Sequence, residues 1–496
     1  MYDAAFLKGE TWGFAGAHVE HLETHAAHVF LAGNRAFKIK KVVKHPYLDF
    51  SSIEKRRKVL EDELEINRAF APDLYLQVAE VRGEPVLVMR RFGSQALLSW
   101  KMAHGGIDAA LAGRLAAMIA ESHVIAPRRE TAGSDIMMGL GAQLSKAFID
   151  STDLFEPSQT LEFHALYEEA LRRTRSLLND RSGQGLVRRC HGDMHAGNII
   201  VEHGKPMLFD AIEFSEKIAT IDVIYDLAFL LMDLWSHGER VAANIVMNRY
   251  LNLRRVEENL SGLALLPLFL STRAGVRALV TADLVHDLPV SSSLRQRGQA
   301  LDSFRDSISY LKPEPSVLVC VGGLSGSGKS TLAAGLAPHI GAAPGALHVR
   351  SDIERKILAG VGELQKLPPE TYSQQASTAV YSACFDRAEA ALSAGHSVVL
   401  DAVFAHDSER SIAARLAAKT RVGFQGIWLD APADILKSRV STRTGDASDA
   451  TADVVEMQLG YNLGRLDWPR VDPSGTPAET LALVRERLPS RPGDPA

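Results

Sequence analysis

Residues 191–210 read H-G-D-M-H-A-G-N-I-I-V-E-H-G-K-P-M-L-F-D and set two carboxylates and an amide at fixed intervals. His191, Asp193 and Asn198 fit an H-x-D-x-x-x-x-N spacing, and Asp210 closes a strand-like apolar run twelve residues later. Phosphoryl transfer needs those residue types. One carboxylate takes the proton of an acceptor hydroxyl, while an amide and a second carboxylate hold the Mg²⁺ that offsets charge on the moving phosphate. On this reading Asp193 is the base, and Asn198 and Asp210 are the metal ligands. His191 is expected to orient the loop, His195 to touch a ligand or support the loop, and Asp222 and Asp226 to act as helix caps or loop anchors.

A second set lies far downstream. Gly323, Leu324, Ser325, Gly326, Ser327, Gly328, Lys329, Ser330 and Thr331 contain a full G-x-x-x-x-G-K-[ST]. Backbone N–H groups of such a loop wrap phosphate, its lysine reaches further along the phosphate chain, and its serine hydroxyl binds Mg²⁺. V-L-V-C-V (317–321) before it reads as a buried strand, and 331–337 after it as a helix. Asp401 ends another apolar strand and fits a second carboxylate near the metal. Asp352 and Arg355 lie one helical turn apart, so both can face one pocket. ATP and Mg²⁺ are therefore the expected cofactors at two separate places on one chain.

The surrounding elements follow from periodicity. Residues 28–43 predict a hairpin about a Gly-Asn turn, 51–70 a charged helix capped by Ser51 or Ser52, and 78–82 with 85–92 a second strand pair. Helical spacing of Leu111, Leu115, Met118 and Ile119, and of 160–178, continues as helical composition to about Tyr310. Two prolines in 312–316 mark a linker, after which apolar strands at 397–404 and 424–430 alternate with helices, the layout of a parallel sheet. Asp430 is expected to cap the helix after it, and the tail 490–496 to be disordered.

The chain has 496 residues, 46% hydrophobic and 23% charged, with a formal charge of −5. That length suits two or three domains, and the acidic balance offers no general attraction to nucleic acid or anionic membrane. Cys190, Cys320 and Cys384 have the spacing of neither a disulfide framework nor a zinc site. The N-terminus lacks a basic region followed by an apolar core, so a cytoplasmic protein is expected. The apolar stretches 223–235 and 263–270 read as core helices, not membrane spans.

Residues 1 to about 300 resemble the aminoglycoside phosphotransferase family, small-molecule kinases that share the protein-kinase fold. The resemblance rests on H-G-D-M-H-A-G-N, on the strand ending in Asp210 and on Y-D-L-A-F (225–229). It implies a bilobal α+β domain with its phosphate-binding lysine in A-F-K-I-K. Lys38 and Lys40 alternate onto one strand face there, and Lys38, nearer the hairpin turn, is preferred. Glu63 is the implied helix partner, with Glu61 and Glu65 competing, and residues 89–92 the hinge that grips adenine. The chain departs from the kinase pattern in lacking G-x-G-x-x-G before the lysine strand. E-T-H-A-A-H (23–28) stands there instead, and no acidic cluster marks an aminoglycoside site.

The second half is similar to phosphate-loop kinases such as polynucleotide kinases and zeta-toxin-like enzymes, through D-x-x-R at Asp352 and Arg355. The resemblance makes Asp352 the base and gives Arg355 the acceptor's phosphate or the transferred group. It makes Arg439 and Arg443 the arginines of a lid over ATP. His339, His348, His396 and His406 form no metal spacing and read as scaffold. The whole chain resembles bacterial fusions in this order: a kinase-like domain over 1–310 (small lobe about 1–92, large lobe about 93–310), a linker at 311–316, and an α/β phosphate-loop or AAA-type ATP-binding domain over 317–490. The expected activity is transfer of the ATP γ-phosphate to a hydroxyl of a small molecule. A nucleotide-binding regulator with one silent module, and a nucleic-acid end kinase, are the competing readings. The absence of a concentrated Lys/Arg tract speaks against the latter.

Overall fold

The computed structural model describes residues 3–24, 26–45, 48–255, 260–286, 290–443 and 445–487. The tail at 490–496 lies outside them, as does His25 within 23–28. Contacts divide the chain into two compact units, Met1–Ala242 and Ala243–Ala496.

In the first unit, five antiparallel strands are ordered β1-β2-β3-β5-β4. They are β1 (Glu20–Glu23), β2 (Ala27–Ala32), β3 (Arg35–Lys40), β4 (Tyr75–Val81) and β5 (Glu84–Arg90). The β2–β3 hairpin turns at Gly33-Asn34, where Gly33 takes φ 55°, a conformation that glycine adopts at little steric cost. Trp12 stacks on Phe37 at 4.3 Å between ring centroids and closes one face with Phe6 and Phe30. The edge strand β1 is polar, E-H-L-E, and carries no alternation that would announce it. Helix α1 (Ile53–Arg68) starts at Ser52, whose hydroxyl accepts from the Lys55 N–H, and it buries Leu60, Glu63 and Asn67.

The remainder of this unit is mostly helical. It contains α2 (Ala109–Ile125), α3 (Gly133–Asp150), α4 (Pro157–Gly183) and α5 (Val223–Ser236). Two short antiparallel ladders pass between them: β6 (Val187–Arg189) with β9 (Thr220–Asp222), and β7 (Ile199–Glu202) with β8 (Lys205–Leu208). Asp222 caps α5 by accepting from the Ile224 N–H at 2.8 Å, and its carboxylate pairs with buried Arg181 at 2.7 Å. Residues 223–234 are buried throughout, which suits their mostly apolar composition, and the two acids among them, Asp226 and Asp233, accept from backbone N–H groups of the 191–196 loop.

The second unit opens with α6 (Arg240–Leu253), in whose first turn the division falls, followed by α7 (Leu266–His286) and α8 (Val290–Tyr310). These helices, which the sequence attaches to the first domain, lie by contact in the second unit. The stretch Gly262–Leu284 is long and apolar enough to cross a membrane, but most of it is buried inside the protein.

Next comes a wholly parallel sheet ordered β11-β12-β10-β13-β14. Its strands are β10 (Val317–Gly323), β11 (Leu347–Arg350), β12 (Val398–Asp401), β13 (Gly423–Leu429) and β14 (Arg470–Val471). Crossover helices cover it, among them α9 (Lys329–Leu336), α10 (Ser351–Leu358), α11 (Gln374–Ser393), α12 (Asp407–Thr420), α13 (Ala433–Thr442) and α14 (Ala452–Leu459). Asp430 does not cap α13. Pro432 holds the N-cap position and Asp430 pairs with Arg470 at 3.0 Å.

The edge strand β11 is served by two asparagines one helical turn apart on α6. Asn248 accepts from the His348 N–H at 2.7 Å, and Asn244 donates to the carbonyls of Pro344 and Ala346 at 3.1 and 3.0 Å. Buried backbone groups left without such partners are costly. Asn244→Ala should therefore destabilise the second unit by about 1–3 kcal/mol, measured as a lower melting temperature by calorimetry.

Candidate functional site

In the first unit, strand alternation points Lys38 and Lys40 to the same side, and α1 brings Glu63 under both. Glu63 Oε1 lies 2.6 Å from Lys38 Nζ and Oε2 lies 2.7 Å from Lys40 Nζ. Lys38 also reaches Asp210 at 2.8 Å, whereas Lys40 turns to Glu213 at 2.6 Å. Glu61 and Glu65 are exposed on the other side of α1. Of the two lysines, Lys38 alone joins the helix glutamate to the aspartate after β8.

Asp210 keeps 44% of its side chain exposed and takes φ 59°. Withdrawal from water raises its pKa, but the charge and hydrogen bond of Lys38, helped by Lys40, outweigh that and bring it down to about 2. Its N–H donates to the Tyr75 hydroxyl at 2.9 Å, and the next N–H, Ala211, to Asn67 Oδ1 at 2.8 Å. Burial, and then Glu63, push the Glu213 carboxyl up, against the pull of Lys40.

The loop that carries Asp193 is fixed by buried groups. Asp226 accepts from the His191 and Gly192 N–H groups at 3.2 and 3.0 Å, and Asp233 accepts from the Ala196 N–H at 2.8 Å. His191 Nε2 donates to the Phe209 carbonyl at 3.0 Å while Nδ1 accepts from the Asp193 N–H at 3.3 Å, so one neutral tautomer satisfies both. Burial lowers its pKa and favours that neutral form. Asn198 Nδ2 donates to Asp193 Oδ2 at 2.9 Å and to its carbonyl at 3.0 Å. That leaves the amide oxygen of Asn198 for a cation. His195 caps the short turn after it by accepting from the Gly197 N–H at 3.0 Å, and lies 3.5 Å from Asp193 Oδ2. His123, Cys190 and Asp226 bring their ligand-type atoms within 4.8 Å of one another, a proximity that cysteine spacing does not show. In the 89–92 segment, Arg90 pairs with Glu202, and the Phe92 ring meets Phe209 edge-on at 5.3 Å.

In the second unit the loop 323–330 joins β10 to α9. Gly323, Gly326 and Gly328 take φ 142°, 83° and 89°, and a Cβ on Gly326 would sit 2.5 Å from the Leu436 carbonyl. This close-packed turn presents backbone N–H groups at a helix start, a cradle suited to phosphate. Lys329 Nζ donates to the Leu324 carbonyl at 3.0 Å, and burial lowers its pKa. Gln458, from α14, accepts from the Ser325 N–H at 2.7 Å. No hydrogen bond of the Ser330 side chain is found among the described residues, which leaves its hydroxyl open to a metal ion.

Asp401 lies beside this loop. Burial raises its pKa, but His348 at 3.7 Å and Arg350 at 3.6 Å outweigh burial and lower it. Asp352 makes no hydrogen bond or ion pair among the described residues, and burial, then Asp401, raise its pKa. Arg355 does not stand beside it with a free guanidinium. It donates to the Thr371 carbonyl at 2.6 Å and to Ser377 Oγ at 3.4 Å, and lies over the Tyr372 ring at 4.8 Å. Arg439 donates to the Pro473 carbonyl at 2.7 Å, and Nη1 would lie 3.9 Å from a Cβ on Gly328. Arg443 donates to the carbonyls of Ser448 and Ala450.

A profile of the Phosphotransferase enzyme family matches residues 33–262, and one of the AAA domain matches 318–462. Uncharacterized proteins of Mycobacterium tuberculosis and Mycobacterium bovis are 30% identical over 474 residues, covering 91% of this chain and 92% of theirs. The chain belongs to their family. It is a fusion of an N-terminal aminoglycoside-phosphotransferase-like domain and a C-terminal phosphate-loop kinase domain. Solved structures similar to its parts include a choline/ethanolamine kinase family protein from Mesorhizobium loti, at 16% identity, covering 60% of this chain and 94% of that one with TM-score 0.37. Another is the APS kinase of Mycobacterium tuberculosis, at 21% identity, covering 35% and 98% with TM-score 0.26. Both domain families do kinase-type phosphotransfer, which implies ATP and typically Mg²⁺.

Sequence reasoning missed Asn67, Tyr75, Glu213 and Asp233 in the first domain of this fusion, and Arg350, Asp446 and Gln458 in the second. Only Arg350 carried a signal, as a cation two residues before Asp352. His191 gives a pH test. Its folded pKa is depressed, so as pH falls below about 6.5 the unfolded chain binds the proton first and native stability declines. His191→Asn should be less stable than wild type at pH 7.5, and the gap in melting temperature should narrow as the pH drops toward 5.

Proposed function

We propose that both domains transfer the ATP γ-phosphate to a hydroxyl of a small-molecule acceptor, with Asp193 the base of the first and Asp352 the base of the second. The observation that carries the reading is the Lys38 bridge between Glu63 and Asp210, with Asp193 tied through His191 to the residue before Asp210. Lys38 would present its charge to the ATP phosphates. Asn198 and Asp210 would hold Mg²⁺, which when bound offsets the charge of the transferring group. Asp193, oriented by the Asn198 amide, would take the acceptor's proton.

In the second domain the loop amides and Lys329 would bind the β- and γ-phosphates, with Ser330 and Asp401 at the metal. Asp352 supports the base role because it makes no hydrogen bond or ion pair among the described residues, and burial pushes its carboxyl pKa up. Arg439 stands close enough to Gly328 to face bound nucleotide. The three buried cysteines form no disulfide among the described residues, which suits a reducing cytoplasm, and the acidic net charge favours a small acceptor over nucleic acid.

Two sites predict separable losses in the full-length protein. Asp193→Ala should abolish the part of phosphoryl transfer that survives Lys329→Ala while ATP binding at the first site persists, and the double variant should be inactive. If Asp193→Ala leaves all transfer that survives Lys329→Ala intact, the first domain is not a catalyst.

Asp352→Asn keeps shape but cannot accept a proton. It should slow Lys329-dependent transfer by about 10²–10⁴-fold with the KM for ATP nearly unchanged. Unaltered turnover would remove Asp352 as the base.

A further inference from the structure

Resting on the reading of the second site as a kinase, we propose that Arg350 selects its acceptor, and that this acceptor carries an acidic group (phosphate, sulfate or carboxylate) in addition to the hydroxyl that is phosphorylated. The place of Arg350 follows from strand register. Val321 of β10 is level with Asp401 of β12, and Asp401 is level with Arg350 of β11. All three stand at the carboxyl ends of parallel strands, where such sheets form their ligand crevice. From the phosphate loop outward the order is therefore phosphate cradle, metal carboxylate, guanidinium. Asp352, two residues past Arg350, begins α10 at the same end.

The other cations near Asp352 are engaged. Arg355 is taken by Thr371 and Ser377, and Lys356 is buried on Asp449 at 2.5 Å. Arg350 is different. Its Nε is buried without a hydrogen-bond partner, with Asp401 the near carboxylate at 3.6 Å. Its Nη2 meets Asp446 Oδ1 at 3.2 Å. A guanidinium fork binds an oxyanion best through two parallel N–H···O bonds at about 2.7–2.9 Å, and neither aspartate supplies that.

Asp446 occupies the position an acidic acceptor would take. It lies in the segment after Arg443, which Asp449 fastens to Lys356, to the Tyr372 hydroxyl at 2.8 Å and to the Leu367 N–H at 3.1 Å. Displacing Asp446 alone frees the Arg350 fork and leaves those contacts intact. The acceptor hydroxyl then gives its proton to Asp352 as its oxygen bonds to the γ-phosphorus. The bond from that phosphorus to the β–γ bridging oxygen breaks, and ADP leaves.

The test uses the full-length protein with Asp193→Ala, saturated with MgADP, and calorimetric titration of matched probes: glycerate and glycerol, gluconate and glucose, glycerol 3-phosphate and glycerol, glucose 6-sulfate and glucose. At least one acid should bind while its neutral parent does not, and the charge type that binds tells phosphate, sulfate and carboxylate apart. Arg350→Ala should weaken that binding by about 10–100-fold, the worth of charged hydrogen bonds, a larger loss than it causes in MgADP affinity. Asp446→Asn should strengthen it, a gain that misfolding would not produce, and Arg350→Lys should restore part of it. Binding of no acid, equal binding of neutral parents, or indifference to Arg350→Ala and Asp446→Asn would overturn the inference. Acid binding through Arg350 without γ-phosphate transfer would leave it standing and count against the kinase reading instead.

Discussion

A carboxylate with no exposed surface, Glu63, holds one lysine on each oxygen, and the first site is built around that arrangement. Burying an unpaired charge costs several kcal/mol, so none of the three groups can be withdrawn from water alone. Their mutual need fixes the distance between β3 and α1. The surplus of positive charge is then met from the other direction, by Asp210 on Lys38 and Glu213 on Lys40. A segment that must carry an exposed, ionised Asp210 is thereby tied at two points three residues apart. Tyr75 and Asn67 fix the same segment through its N–H groups. The position of Asp210 is thus a consequence of charge pairing behind it.

The second site solves the same problem differently. Its proposed phosphate cradle consists of backbone amides, which need no counter-charge, so the loop depends on glycine conformations and on close approach to Leu436 and Leu429. Its few charges are Lys329 at the start of α9, Asp401 and Arg350 level at the ends of neighbouring strands, and Asp352, which makes no hydrogen bond or ion pair among the described residues. An unengaged carboxylate among partly engaged cations is poorly stabilised in itself, and such perturbed groups gather where chemistry is done.

Motif and periodicity made the parts with local signatures legible: Asp193, Asn198, Asp210, the phosphate loop, the hairpin of β2 and β3, and the parallel sheet. The choice of Glu63 over Glu61 and Glu65 needed burial, because all three lie on one charged helix and only packing shows which face turns inward. Edge strand β1 was invisible since one polar, solvated strand looks like a loop. For Arg355, spacing shows that two residues can share a helix face, but not that a neighbouring segment, 371–377, supplies partners to one of them. Asn67, Asp233 and Gln458 act by bonding backbone groups distant in sequence, and no local pattern records that. The division at Ala242 was hidden for a similar reason. The two prolines near 312 are a strong local punctuation, whereas the contacts of Asn244 and Asn248 reach about a hundred residues ahead.

Those two asparagines also bear on how this fusion can be taken apart. β11 is an outer strand of the parallel sheet, and an outer strand stripped of its cover is a template for pairing with other chains. A fragment begun at the proline-rich 311–316 segment would keep every phosphate-loop residue yet bare the His348 N–H and the Ala346 carbonyl. Its fault would be aggregation, with the catalytic groups all present. In this chain the asparagines that protect the edge of the parallel sheet lie upstream of that segment, inside what reads as the neighbouring domain's sequence.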